Sequence, residues 1–358
     1  MSFKTFAVLF MMLQAGVSPA RCEDTVDPSN FTVALVRTPP PNWPLPITNY
    51  DYSDIAFNIS ECVDAGVALI YGAANNGSNL IVFPELWFPG FPKGLDAPSY
   101  NFTRDHLPSY IDNTIIVGDV HWTRILNATR EAGIYVQINF AESDGDFMYM
   151  SQSLIDPDGE VLIHRRKLRP SGSERYIFSD GTTDGLQVVE TAYGRWGILE
   201  CGEHYYPSMT YNMHVQMESV HMAPFPYLAD AGDDNSLWWE NEWINTGAVG
   251  VYSVLGGTYS LTPAVGVAFI TDPLGYRIAH MGANVSFEES PLLIHSFDTT
   301  TFNDTATYDV DGQYSWGVLQ QINNSFPAYI PKVEGALVPH QNHSIAYLQS
   351  GELVIPTS

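Results

Sequence analysis

Gly194-Arg-Trp-Gly-Ile-Leu-Glu-Cys-Gly-Glu-His204 decides how this chain is read. Trp196, Ile198 and Leu199 give it the apolar density of a buried strand, and that strand runs directly into a thiol, a glycine and a carboxylate. Two other stretches are built alike. Leu80-Ile-Val-Phe83 leads into Pro84 and Glu85, then Leu-Trp-Phe-Pro-Gly90. Val161-Leu-Ile-His164 leads into Arg-Arg-Lys167, then Leu-Arg-Pro-Ser-Gly-Ser-Glu174-Arg175. Charged residues just beyond β-strands are where open α/β sheets place their sites.

Working outward, Phe31-Thr-Val-Ala-Leu-Val-Arg37 predicts the first strand, and Pro39, Pro40, Pro41, Pro44 and Pro46 then break regular structure. Ile55, Val63, Val67, Ile70 and Tyr71 recur at helical spacing between Asp54 and Ala74. Further helices are expected over 119–132, 206–217 and 237–246. Strands are expected over 134–140, 219–222, 249–254 and 265–270. Asp156-Pro-Asp-Gly159 closes a hairpin between 148–155 and 161–164, and Asp272-Pro-Leu-Gly275 marks a second hairpin turn. Beyond Ala279 the chain turns polar without firm periodicity, an extended tail suited to wrapping a neighbour. Strands alternating with helices, with hairpins inserted, predict a layered α/β domain with a mixed sheet.

The chain has 358 residues, long enough for a full core, and apolar and aromatic residues throughout exclude a disordered protein. Its formal net charge is −25, which repels phosphates and excludes nucleic acid and anionic membranes as partners. The plain function of that charge is solubility. Residues 1–20 read as a signal peptide: Lys4, a short apolar run over Phe6–Val17, then small residues at Ser18 and Ala20. The apolar run is too short for a membrane anchor. Asn-x-Ser/Thr sequons stand at Asn30, Asn58, Asn76, Asn101, Asn127, Asn284, Asn303, Asn323 and Asn342. Chance gives roughly two or three, so the excess predicts a secreted, N-glycosylated protein.

Only Cys22, Cys62 and Cys201 are present, so no disulfide framework holds the fold. Taken alone, Cys201 is a small buried hydrophobe, half of a bridge to Cys62, or a reactive thiol. Its context favours the last. A thiol needs a base because its ordinary pKa lies above neutrality. A carboxylate serves as that base, and a cation must stabilise charge developing on the substrate. Glu85, Lys167, Glu174 and Cys201 meet those needs. Lys167 precedes Glu174 by seven residues and Cys201 by 34.

This order and spacing resemble the nitrilase superfamily, in its nitrilase and cyanide hydratase branch, and secreted fungal-type nitrilases within it. The likeness runs from about Phe31 to Trp316, and Tyr308-Asp-Val-Asp-Gly-Gln-Tyr-Ser315 looks like that branch's C-terminal segment. It implies one domain over 21–316, a C-terminal extension over 317–358, and a four-layer α-β-β-α sandwich on dimerisation, with mixed sheets and flanking helices. It implies a homo-oligomer, a small nitrile or amide as substrate, and no cofactor or metal. His164, His204 and His221 stand too scattered in the sequence for zinc.

The resemblance also assigns roles. Glu85 is the general base, Cys201 the nucleophile, Lys167 the stabiliser of the tetrahedral intermediate, and Glu174 the residue that positions Lys167 or substrate. The Gly202 N–H joins Lys167 as oxyanion donor. Glu203, His204 and Trp87 are candidates for the substrate-binding surround. Glu203 is equally well a structural hydrogen-bonding acid. Trp87, Phe88, Tyr205 and Tyr206 either line an aryl pocket or pack in the core. The chain departs from the pattern at Gly202, usually tryptophan, at Gln313, usually histidine, and at Trp316, usually arginine. Three readings stand: a nitrilase making acid and ammonia, an enzyme with amide as product or substrate, between which Gly202 bears on the choice, and a catalytically silent binding glycoprotein, against which the intact Glu85, Lys167, Glu174 and Cys201 argue.

Overall fold

A computed structural model describes residues 26–95, 102–302, 309, 312–325 and 341–353. The expected signal peptide, Cys22, Asn101, Asn303 and Tyr308 lie outside the described residues. One six-stranded sheet runs, in spatial order, Leu292–Phe297, Phe31–Val36, Leu80–Val82, Tyr135–Asp144, Phe147–Ile155, Val161–Arg166. The other runs Arg277–Met281, Ala268–Thr271, Tyr259–Thr262, Val220–Met222, Gly194–Ile198, Val189–Thr191. Both are mixed: Leu80–Val82 is parallel to its two neighbours, and Val220–Met222 to its two.

Period-two alternation explains the layers. In Phe31–Val36, Phe31, Val33 and Leu35 face the other sheet, meeting Trp196, Val220, Leu261 and Ile270. Ala34 and Val36 face the opposite way, toward Val63 and Ile70 of the Ile59–Asn75 helix and Ile125 of the Val120–Ala132 helix. Helices Pro207–His214 and Glu242–Gly256 flank the second sheet, where Met213 and Tyr252 pack on Leu199. All four layers therefore come from one chain. The sandwich does not wait on dimerisation, because the apolar faces of both sheets are already buried against each other.

Several elements differ from the sequence reading. The first helix begins at Ile59, since the Asn58 side chain accepts from the Glu61 N–H and caps it there. Of the helix expected over 237–246, residues 237–241 are loop, and the rest joins the strand expected over 249–254 in a single helix, Glu242–Gly256. Asn241 caps its start, and buried Asn245, Val249, Tyr252, Ser253 and Gly256 recur at helical spacing. Gly257, at φ 64°, ends it. The strand expected over 265–270 splits at Gly266 into Val265–Gly266 and Ala268–Thr271. The polar tail contains a strand after all. Leu292–Phe297 pairs antiparallel with Phe31–Val36, so it closes this chain's own sheet.

Candidate active site

Three strand ends converge. Glu85 lies just beyond Leu80–Val82, where its N–H donates to Phe225 O at 3.2 Å. Lys167 follows Val161–Arg166 directly, its N–H on Met150 O at 2.8 Å. Cys201 opens a short 3-10 turn, Cys201–Tyr205, after Gly194–Ile198, and its N–H donates to Pro224 O at 2.9 Å. Glu174 sits in the turn Gly172–Tyr176. Lys167 Nζ donates to Glu85 Oε1 at 2.6 Å and to Glu174 Oε2 at 2.8 Å, and all three side chains are buried. Glu174 Oε2 also accepts the Ser171 N–H at 2.6 Å. The same Glu85 carboxylate acts electrostatically on Cys201, and its Oε2 is buried without a hydrogen-bond partner. Cys62 and Cys201 are both free thiols, so no bridge joins them.

The electrostatics follow from burial and these partners. Burial pushes the Glu85 carboxyl up to about 8, against the pull of Lys167. Burial works to lower the Lys167 ammonium, but Glu174 and Glu85 outweigh it and the net shift is upward. Burial, then Glu85, raises the Cys201 thiol well above its usual value. Cys201 is thus a thiol near a carboxyl group whose pKa lies near neutrality, an arrangement that can pass a proton between the two. Cys201 has φ 43°, the sterically costly left-handed region for a residue with a Cβ.

A family model described as carbon-nitrogen hydrolase matches residues 32–300. The chain belongs to that family. A nitrilase of Talaromyces marneffei is 34% identical over 178 residues, 49% of this chain and 55% of that protein. An arylacetonitrilase of Hypocrea virens is 36% identical over 182 residues, 51% of this chain and 55% of the relative. A cyanide hydratase of Stereum hirsutum is 36% identical over 189 residues, 51% of each. In these matches the chain spans about half the length of the curated relatives. A solved amidase from Nesterenkonia sp. shares the fold, with TM-score 0.59 at 16% identity over 83% of this chain and 97% of that one.

The Cys201 cluster opens into a cavity of about 230 Å³. Cys201, Gly202, Glu174 and Ser171 form its floor, and Phe91, Leu95, Tyr205, Tyr206, Trp238 and Trp239 supply aromatic and apolar walls. Trp87 and Phe88 are not among the lining residues. Trp87 is buried in the core against Phe83 and Phe88, its Nε1 on Thr38 O at 2.9 Å. Glu203 is held by Arg165 through two bonds of 2.8 and 2.7 Å and by the N–H groups of Leu168 and Glu200. Burial acts to raise its pKa, but Arg165 prevails and holds it below the usual carboxylate range. Its acceptors are saturated, which fits the structural alternative.

His204 lies beneath the floor rather than in the cavity. His204 and His221, distant in sequence, meet at 2.9 Å through their Nε2 atoms. Among the described residues no group of three or more His, Cys, Asp or Glu side chains is arranged to hold a metal ion. Sequence reasoning missed Phe91, Leu95, Ser171, Trp238 and Trp239. The available signal was Trp238, 68% exposed although a tryptophan, beside Trp239 in a loop. It also missed Arg165, which shares the inward face of its strand with Ile163 and Lys167.

Proposed function

We propose that this protein is a nitrilase that hydrolyses an organic nitrile, of arylacetonitrile type, to the carboxylic acid and ammonia. One observation carries the reading: the Lys167 ammonium bridges Glu85 and Glu174, and Glu174 and the Cys201 thiol line an aromatic-walled cavity. Relatives described as nitrilase and arylacetonitrilase support it. Cys201 Sγ attacks the nitrile carbon as its proton passes to Glu85 and on to the nitrile nitrogen, giving a thioimidate and leaving Glu85 again a carboxylate. Two of the three Lys167 ammonium protons are committed to Glu85 and Glu174, leaving the third for charge developing on the substrate. Gly202 N–H stands at a helix start, where N–H groups lack intrahelical partners. Water activated by Glu85 adds to the thioimidate, ammonia leaves, and a second water hydrolyses the thioester. The wall aromatics favour an aryl group beside the nitrile.

Gly202 sustains a second reading, in which the amide is the product or the substrate. Purified protein should be assayed on phenylacetonitrile, mandelonitrile and their amides. Ammonia release from nitriles supports the first reading. Amide accumulation, or hydrolysis of amides alone, supports the second.

Secretion and N-glycosylation belong to the same proposal. Asn30, Asn58, Asn76, Asn127, Asn284, Asn323 and Asn342 are all solvent-exposed, as sugar attachment requires. Homo-oligomer formation is supported by exposed Trp243, Val251 and Val254 on one helix, near exposed Leu274 and Tyr276. Treatment with an N-glycosidase and light scattering of the secreted protein test both.

A further inference from the structure

A line of buried polar side chains leads away from the nucleophile on the side opposite the cavity. His204 Nδ1 is 2.7 Å from Cys201 O. His204 Nε2 is 2.9 Å from His221 Nε2, and His221 Nδ1 is 3.0 Å from Glu218 Oε2. Tyr252 donates its hydroxyl to Glu218 Oε1. His221, Glu218 and Tyr252 are shut off from solvent, and His204 nearly so. The backbone makes room for the line: a Cβ on Gly197 would meet Glu218 Oε2 at 2.1 Å.

Burial disfavours the charged form of both imidazoles, and with His204 and His221 neutral, proton counting assigns every role. A carbonyl oxygen only accepts, so His204 Nδ1 carries a proton. Neutral His204 then accepts at Nε2, which requires a proton on His221 Nε2. Neutral His221 in turn accepts at Nδ1, so Glu218 Oε2 must be the donor. Glu218 is therefore a carboxylic acid, with Oε1 free to accept from Tyr252.

We propose that Glu218 is a positioning residue for the nucleophile: its neutral carboxyl sets the tautomers of His221 and His204 and thereby keeps the Cys201 carbonyl hydrogen-bonded. The inference rests on Cys201 being the nucleophile. That carbonyl bond and the Cys201 N–H bond to Pro224 together hold the left-handed backbone at φ 43°.

The surroundings agree. Glu218 faces His221, three residues on in the strand it leads into, Tyr252 from the Glu242–Gly256 helix and His214 from the Pro207–His214 helix. Burial pushes Glu218 up to about 8, with Tyr252 and His214 opposing. Burial also lowers His204 to about 3 and His214 to about 4, and lowers His221 well below its usual value. Arg165 adds to the shift at His221 and Glu203 opposes it.

Loss of the Glu218 proton propagates. The carboxylate draws the His221 proton to Nδ1, so His221 Nε2 becomes an acceptor. His204 must then donate from Nε2, and its bare Nδ1 lone pair faces the Cys201 carbonyl. The nucleophile's strap is lost above the Glu218 pKa.

Glu218→Gln tests this, because a glutamine amide donates to His221 and accepts from Tyr252 at any pH. The rate of Cys201 alkylation by iodoacetamide, mapped by mass spectrometry, is followed in wild type and Glu218→Gln at pH 7 and pH 9.5. Titration of Glu85 is common to both proteins and cancels in the ratio. We expect rates within about two-fold at pH 7, and wild type slower by about five-fold at pH 9.5, the effect of one lost hydrogen bond. Equal rates at both pH values, a loss in Glu218→Gln at pH 7, or failure of that variant to fold overturns the proposal. Faster labelling of Cys62 than of Cys201 instead overturns the nucleophile assignment.

Discussion

A Cβ added to Gly202 would stand 2.8 Å from Ser171 Oγ. The serine hydroxyl occupies the space a side chain after the nucleophile would need, and both residues line the cavity. Gly202 and Ser171 therefore set the floor as a pair. Gly202→Ala should lower kcat/KM on phenylacetonitrile by about five- to thirty-fold, an overpacking effect of about 1–2 kcal/mol. Gly202→Ala with Ser171→Gly should recover most of it. A double variant no better than the product of the single effects would show that the two sites act independently.

Glu85 makes activity depend on pH in a defined direction. Its folded pKa is near 8, and as a base it works only when deprotonated. kcat/KM should therefore rise with pH through that region, and Glu85→Gln should retain less than about a thousandth of the activity. A flat profile between pH 6 and 9 with Glu85 intact would contradict this role.

The Arg165–Glu203 pair predicts stability. Both side chains are buried, and removing one leaves the other charge uncompensated. Arg165→Met should destabilise the fold by about 3–5 kcal/mol in urea unfolding. A loss under about 1 kcal/mol would place the pair in a far wetter environment than the one described.

Acid sensitivity should trace partly to Glu142. Burial opposes its ionisation, but hydrogen bonds from His164 and Arg166 prevail and lower its pKa to about 2. The folded pKa is depressed, so the stabilisation is present above the unfolded value of about 4.5 and is lost as pH falls toward 2. The amount is on the order of 3 kcal/mol. Glu142→Gln should be less stable than wild type at pH 6, and the gap should narrow at pH 2.5. A gap that stays constant across that range would reject the account.

The site was legible where chemistry follows a strand. Glu85, Lys167 and Cys201 each stand one to three residues beyond a strand that contains an apolar stretch, so the three strand ends announced them. Glu174 was reached only through its spacing from Lys167. Through-space partners were not legible: Trp238 and Trp239 come from a loop remote in sequence, and the meeting of His204 with His221 needs the second sheet assembled. Val249–Val254 misled because β-branched residues fit both a buried strand and a helix face, and the Asn241 cap decided between them. Leu292–Phe297 was hidden because His295 and Ser296 dilute its pattern at the sheet edge, where Phe31–Val36 supplies the missing partner.

Trapping the covalent intermediate tests the central claim most directly. Wild-type protein is mixed with phenylacetonitrile, quenched in acid within milliseconds, and read by intact-mass and peptide mass spectrometry. The account predicts an acyl or imidate adduct confined to Cys201, absent from Cys201→Ala, which also releases no ammonia. Turnover persisting in Cys201→Ala, or an adduct on Cys62 in its place, would contradict it.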